Sequence, residues 1–100
     1  RSLACFRGSK NEWDHHCYET NEWNDIRDWG DRFAKERISI FFGPGRHGPG
    51  NNLFFMVVDA DRNRLEFSAE LELAPADREA GVWPQSEHTL NSWGRAWMRT

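Results

Sequence analysis

Two neighbouring stretches set the pattern of this chain. Leu53 to Val58 is apolar at every position, whereas Leu65 to Glu72 alternates apolar and polar side chains. Period-two alternation predicts a strand with Leu65, Phe67, Ala69 and Leu71 on its core face and Glu66, Ser68, Glu70 and Glu72 on the other. The unbroken run predicts a strand buried on both sides, one against a helix and one lining a cavity or an interface. Asp59-Ala60-Asp61-Arg62-Asn63 supplies the turn between them. Upstream, Ile26, Trp29, Gly30, Phe33 and Ala34 follow the spacing of an amphipathic helix. Asn21 or Asn24 is its expected cap. Asp25 and Asp28 in the first turn and Lys35 and Arg37 at the end suit the helix dipole.

These signals predict a helix over 22–36 and strands near 15–20, 38–42, 52–59 and 64–72, with a further short strand over 2–7. Gly43-Pro44-Gly45 is expected to end the 38–42 strand. The order is βαβββ, an α+β class. Residues 1–13 read as a strand and linker, 14–73 as the module, and 74–100 as a Trp- and Pro-containing tail. The helix residues Ile26, Trp29 and Phe33 should meet Leu65, Phe67, Ala69 and Leu71, leaving Glu66 on the opposite, concave side. Val82, Trp83, Leu90, Trp93, Trp97 and Met98 make the tail too apolar for disorder. It should lie across the sheet or a neighbouring chain.

Composition narrows the function classes. One hundred residues make one small domain, and six tryptophans need burial in a core or against a partner. A net charge of −3 points to neither nucleic acid nor a membrane surface. No apolar run approaches the ~18 residues of a membrane span, so a cytoplasmic protein with Cys5 and Cys17 reduced is expected. Asp59-x-Asp61-x-Asn63 imitates a calcium loop, but Arg64 stands where glycine is required. The cysteines lack zinc-ligand spacing.

The segments GPGRHGPGNNLFF, DADRNRLE and LNSWG, with DHHCYE upstream, resemble the C-terminal end of type I extradiol dioxygenases in the vicinal oxygen chelate superfamily. The resemblance covers roughly residues 14–73, and LNSWG at 90–94. It implies a βαβββ repeat unit that pairs with another around a metal held by two histidines and one carboxylate, a set that leaves positions open for catechol and dioxygen. It assigns His16, the latter half of the His15-His16 pair, and Glu66 as ligands. It assigns His47 as a histidine just behind the ligands, and Arg46, Met56, Tyr18 and Phe54 as pocket residues. The implied cofactor is Fe(II), with Mn(II) or another divalent metal the alternative. The implied substrate is a small catechol-type aromatic.

Three features depart from the family pattern. Met56 stands where a hydrogen-bonding tyrosine is expected, and a thioether cannot donate. The strand HCYETNEW is one residue short, so a bulge or a shift of frame is expected. The first histidine ligand belongs to a preceding unit, and no histidine precedes His15. Adjacent strand residues face opposite ways, so only one of His15 and His16 can enter a given pocket. The chain therefore offers two of three ligands. A lone unit would leave one side of the sheet, with the apolar strand 53–58, open to water, so pairing as a homodimer is expected. The alternatives are a catalytically silent small-molecule-binding or oligomerisation module, holding no metal if the site is incomplete, and a glyoxalase-type dimeric enzyme.

Overall fold

The computed structural model describes residues 3–99. Its elements are β1 (His16–Glu19), α1 (Trp23–Lys35), β2 (Phe42–Arg46), β3 (Leu53–Val58), β4 (Arg64–Ala69) and the short α2 (Glu87–Leu90). The sheet order is β1-β4-β3-β2, with β1 parallel to β4 and the other pairs antiparallel. This is the expected α+β βαβββ unit, an open mixed sheet with one packing helix. The strand expected over 2–7 does not form at residues 3–7; residue 2 lies outside the described residues.

α1 is capped at Glu22 rather than at an asparagine. The Asp25 carboxylate accepts the backbone N–H groups of Asn21 and Glu22, which does the work of the expected cap. At the other end Arg37 turns left-handed at φ 57°, and the Ile38 and Arg37 amides return to the Phe33 and Ala34 carbonyls. That pair of bonds satisfies carbonyls the helix would otherwise orphan.

The apolar stripe of α1 meets one face of the sheet. Ile26, Leu53, Phe55, Val57, Phe67 and Ala69 form a buried cluster, with Phe33 and Leu65 packed against it. Trp29 lies 5.2 Å from Phe67, ring centre to ring centre. Leu71 does not join them. β4 ends at Ala69, Glu70 turns the backbone at φ 58°, and Leu71 is carried out to half exposure.

The first return strand lies later than expected. Residues 38–41 are irregular, and β2 runs through the Gly43-Pro44-Gly45 segment itself. Phe42 pairs with Met56 and Gly45 with Phe54, so a bulge takes up the slack between them. Proline is tolerated because β2 is an edge strand with no neighbour beyond it in the sheet. Gly45 is required by close approach, since a side chain there would overlap the Asn91 amide.

The face of β3 away from α1 is covered by the chain itself. Phe42, Phe54 and Met56 form a second buried cluster, closed by Leu90, Ala96 and Trp97 of the C-terminal segment. That segment is fastened to β2 by Ser92 N donating to Arg46 O and by the buried Asn91, whose Oδ1 accepts from Arg46 N. The doubly apolar strand therefore needs no second chain to keep it dry, and that argument for a dimer falls. Exposed apolar side chains at the edge strand β1 include Trp13 and Tyr18.

Candidate functional site

Glu66 is the centre of the second face. It sits mid-β4 between Met56 of β3 and Cys17 of β1, its register partners on either side. Partners in register share a face, so the alternation that sends Leu65 and Phe67 to the helix sends Glu66 away from it. The residue is 6% exposed, and both carboxylate oxygens are used. Oε2 lies 3.0 Å from Nε2 of His15, and Oε1 lies 3.0 Å from Nε2 of His47.

Each imidazole is held at its other nitrogen. His47 Nδ1 lies 2.6 Å from the Leu90 carbonyl, and its ring stacks flat on Phe54 at 3.7 Å. His15 Nδ1 bonds the Asp14 carboxylate, which in turn accepts two bonds from Arg99 at 2.8 and 2.7 Å. A neutral imidazole donates from one nitrogen only, so His15, placed between two carboxylates, makes both bonds in full as the imidazolium.

The electrostatics follow from this. Burial pushes the Glu66 carboxyl up, but bonds to His15 and His47 outweigh it and hold the group at about 2. Arg99 holds Asp14 at about 2. Glu66 raises His15, against the opposing effect of burial. Burial on its sheet side, together with Glu66, pushes the Cys17 thiol up to about 12, although the residue also touches solvent. The depressed acids contribute stability that is full above their unfolded values of 4.5 and 3.8 and is lost as the pH falls toward about 2. The raised His15 contributes stability that is full below 6.5 and is lost as the pH rises through its elevated value. Thermal midpoints should therefore peak between the carboxylate and imidazole ranges and fall on both sides. A midpoint that is flat from mildly acidic pH down to about 3 would contradict the buried cluster.

The structure distributes the sequence candidates unequally. It brings together Glu66, His47, Met56 and Phe54. His16 is not with them: its ring lies 5.5 Å from Tyr18 and 6.3 Å from Trp13. His15 takes the place beside Glu66. The cause is the register of β1, in which Cys17 pairs with Glu66 and His16 with Leu65, so every second residue counted from His15 shares the Glu66 face. The missing residue of the strand appears as a shift of frame, not a bulge. The same frame puts Tyr18 on the helix side, 5.9 Å from Phe67, and removes it from the pocket. Arg46 turns aside to Glu70 at 3.2 Å and to Asn51 O at 2.7 Å. Asp14 and Arg99 were not legible as site residues. Their only signal was the acid directly before the histidine pair and one arginine in an apolar tail.

The donor set can be tested against a metal. His15 shows one ring nitrogen on a carboxylate and the other directed at a second carboxylate, the arrangement that orients a metal-binding imidazole. The donor types fit once His15 Nε2 has given up the proton it shares with Glu66. Among the described residues, however, no group of three or more His, Cys, Asp or Glu side chains is arranged to hold an ion. The pair His15 and Glu66 thus fits as part of a site.

The Glyoxalase/Bleomycin resistance protein/Dioxygenase superfamily matches residues 7–67. The chain belongs to this family. Metapyrocatechase 2 of Cupriavidus necator, whose similarity extends further along the chain, is 30% identical over 96 residues, 92% of this chain and 29% of that protein. The anaerobic substrate complex of homoprotocatechuate 2,3-dioxygenase from Brevibacterium fuscum, with 3,4-dihydroxyphenylacetate, superposes with a TM-score of 0.73 at 28% identity, over 84% of this chain and 28% of that one. The Mn(II)-bound glyoxalase from Novosphingobium aromaticivorans superposes with a TM-score of 0.74 at 28% identity, over 84% and 29%. The chain spans less than a third of each of these glyoxalase/dioxygenase superfamily members. No described helix is long and apolar enough to cross a membrane.

Proposed function

We propose that this chain is the metal-holding module of an extradiol-type dioxygenase, contributing His15 and Glu66 to a site that a second βαβββ unit completes. One observation carries the reading: the Asp14–His15–Glu66 arrangement, in which an imidazole with one anchored nitrogen presents the other to a buried carboxylate. Residues 14–73 form the module in this reading, with the C-terminal segment as its cover. Fe(II) would be the metal, supplying open positions at which a catechol and dioxygen meet. His15 Nε2 and Glu66 would hold the ion, and Asp14 keeps the ring of His15 from turning. His47, anchored on Leu90 O, sets its Nε2 3.0 Å from the carboxylate. Met56 and Phe54 give an apolar wall that excludes water but donates no hydrogen bond to a substrate oxygen. The second unit, from a longer chain or another copy, would add along the free β1 edge, where Trp13 and Tyr18 are exposed. A two-chain glyoxalase-type enzyme is the second reading, favoured by the superposition on the Mn(II)-bound glyoxalase.

Anaerobic Fe(II) titration, then catechol and air, tests the assignment. Two protein donors bind the ion weakly, and this chain alone is expected to give little or no yellow ring-opened product. Light scattering during the titration reports pairing. Robust turnover lost in both His15→Ala and Glu66→Ala would mean that pairing of identical chains completes the site. Metal binding or turnover unchanged by either substitution would overturn the ligand assignment.

A further inference from the structure

The two imidazoles that flank Glu66 are anchored by the same piece of chain. Leu90 offers its carbonyl to His47 Nδ1. Nine residues later Arg99 reaches Asp14, whose carboxylate holds His15 Nδ1. The Arg99 contact is a fork: Nε bonds Oδ1 and Nη2 bonds Oδ2, so the guanidinium sets the plane of the carboxylate as well as its position. Arg99 itself lies over the Trp97 ring at 4.1 Å, and Arg64 lies over the same ring at 4.4 Å while donating to Asp14 O. Trp97 in turn packs on the Phe42, Phe54 and Met56 cluster, and Phe54 carries the His47 ring. Residues 90–99 lie beyond the stretch that the superfamily pattern matches.

We propose that Arg99 is a positioning residue of this site: it fixes the Asp14 carboxylate, which fixes the ring of His15, so that docking of the C-terminal segment sets the direction in which His15 presents Nε2 to Glu66. The functional meaning rests on His15 being a metal donor, whereas the positioning does not. A plain ion pair that fastens the tail would also join Arg99 to Asp14, but its loss would leave the His15 ring as it was. Lysine cannot replace the fork, because an ammonium is a point charge that leaves the carboxylate free to rotate.

The test reads the ring itself, in the metal-free chain with labelled histidines. In the native protein His15 Nδ1–H, held on the Asp14 carboxylate, should give a downfield proton signal protected from exchange. Arg99→Ala should speed that exchange and leave the His47 ring signals in place. Arg99→Lys should recover part of the protection, and Arg95→Ala, an exposed position on the same segment, none of the loss. If Arg99→Ala leaves the His15 signals native while the protein stays folded, the proposal is wrong. If Arg99→Ala undocks the segment, Arg99→Lys decides. There, a His15 change without a His47 change supports the proposal, and both histidines moving together with Trp97 overturns it. A parallel Co(II) titration should show affinity lower by about 10- to 100-fold in Arg99→Ala. Absence of any Co(II) binding in the native chain would remove the metal reading and leave the ring result standing.

Discussion

His15→Ala weakens the binding of Co(II) or Fe(II) on the order of 100-fold or more, whereas His16→Ala changes it by less than about threefold, because loss of a residue that merely orients a ligand already costs about 10- to 100-fold. The two residues are neighbours with identical chemistry, and only their direction separates them. His15 Nε2 is 3.0 Å from the buried Glu66 carboxylate, and His16 lies among Trp13 and Tyr18. Glu66→Gln should match His15→Ala, since the amide keeps the shape and loses the charge that draws the cation. Titration calorimetry, or the visible absorption of bound Co(II), reads all three variants. A loss in His16→Ala with none in His15→Ala would mean that β1 sits one residue out of the frame described here.

Phe54→Ala and Phe55→Ala should each cost about 3–5 kcal/mol, a large share of the roughly 5–15 kcal/mol that holds a domain of this size together. These adjacent residues of β3 are 0% and 1% exposed and belong to different cores. Phe55 stacks on Phe67 at 5.5 Å and meets Phe33 at 6.0 Å beneath α1. Phe54 packs against Phe42 at 4.7 Å and beneath His47 at 3.7 Å, under the C-terminal segment. Urea unfolding measures both. The Phe54 variant carries the sharper test, because its dryness depends on the segment around Leu90 to Trp97. A cost below about 1 kcal/mol there would mean that this face is open in solution and is normally closed by another chain. Phe54→Leu should retain most of the stability and still loosen the His47 ring, since an aliphatic side chain fills space without offering a flat face.

The local rules carried the fold because each element is written in its own period. Alternation over Leu65 to Ala69 placed Glu66 opposite the helix, and the stripe of Ile26, Trp29 and Phe33 placed the helix on the other face. The Asp59 turn also follows from its residues: Oδ1 of Asp59 accepts the Asp61 and Asn63 amides, a local bond that needs nothing from the rest of the chain. The motif segments that carry Glu66 and His47 keep their spacing, and the fold sets the two side chains 3.0 Å apart.

The differences in strand position and side-chain facing depended on contacts distant in sequence. Whether His15 or His16 faces Glu66 turns on a single step of register between β1 and β4, strands 45 or more residues apart, and one step reverses every side chain. The strand through Gly43-Pro44-Gly45 exists because β3 pairs with it and Asn91 leaves no room for a side chain at Gly45, and no local propensity expresses either fact. Leu71 left the core because β4 loses its partner at Ala69. The cover on Phe54 and the arginine fork on Asp14 come from the far end of the chain, where composition asked only for burial and said nothing of the place. Period, turn chemistry and charge are local properties that a sequence states outright. Register, edge position and the partner of a buried carboxylate are decided when distant segments compete for the same surface, and here that competition chose the histidine.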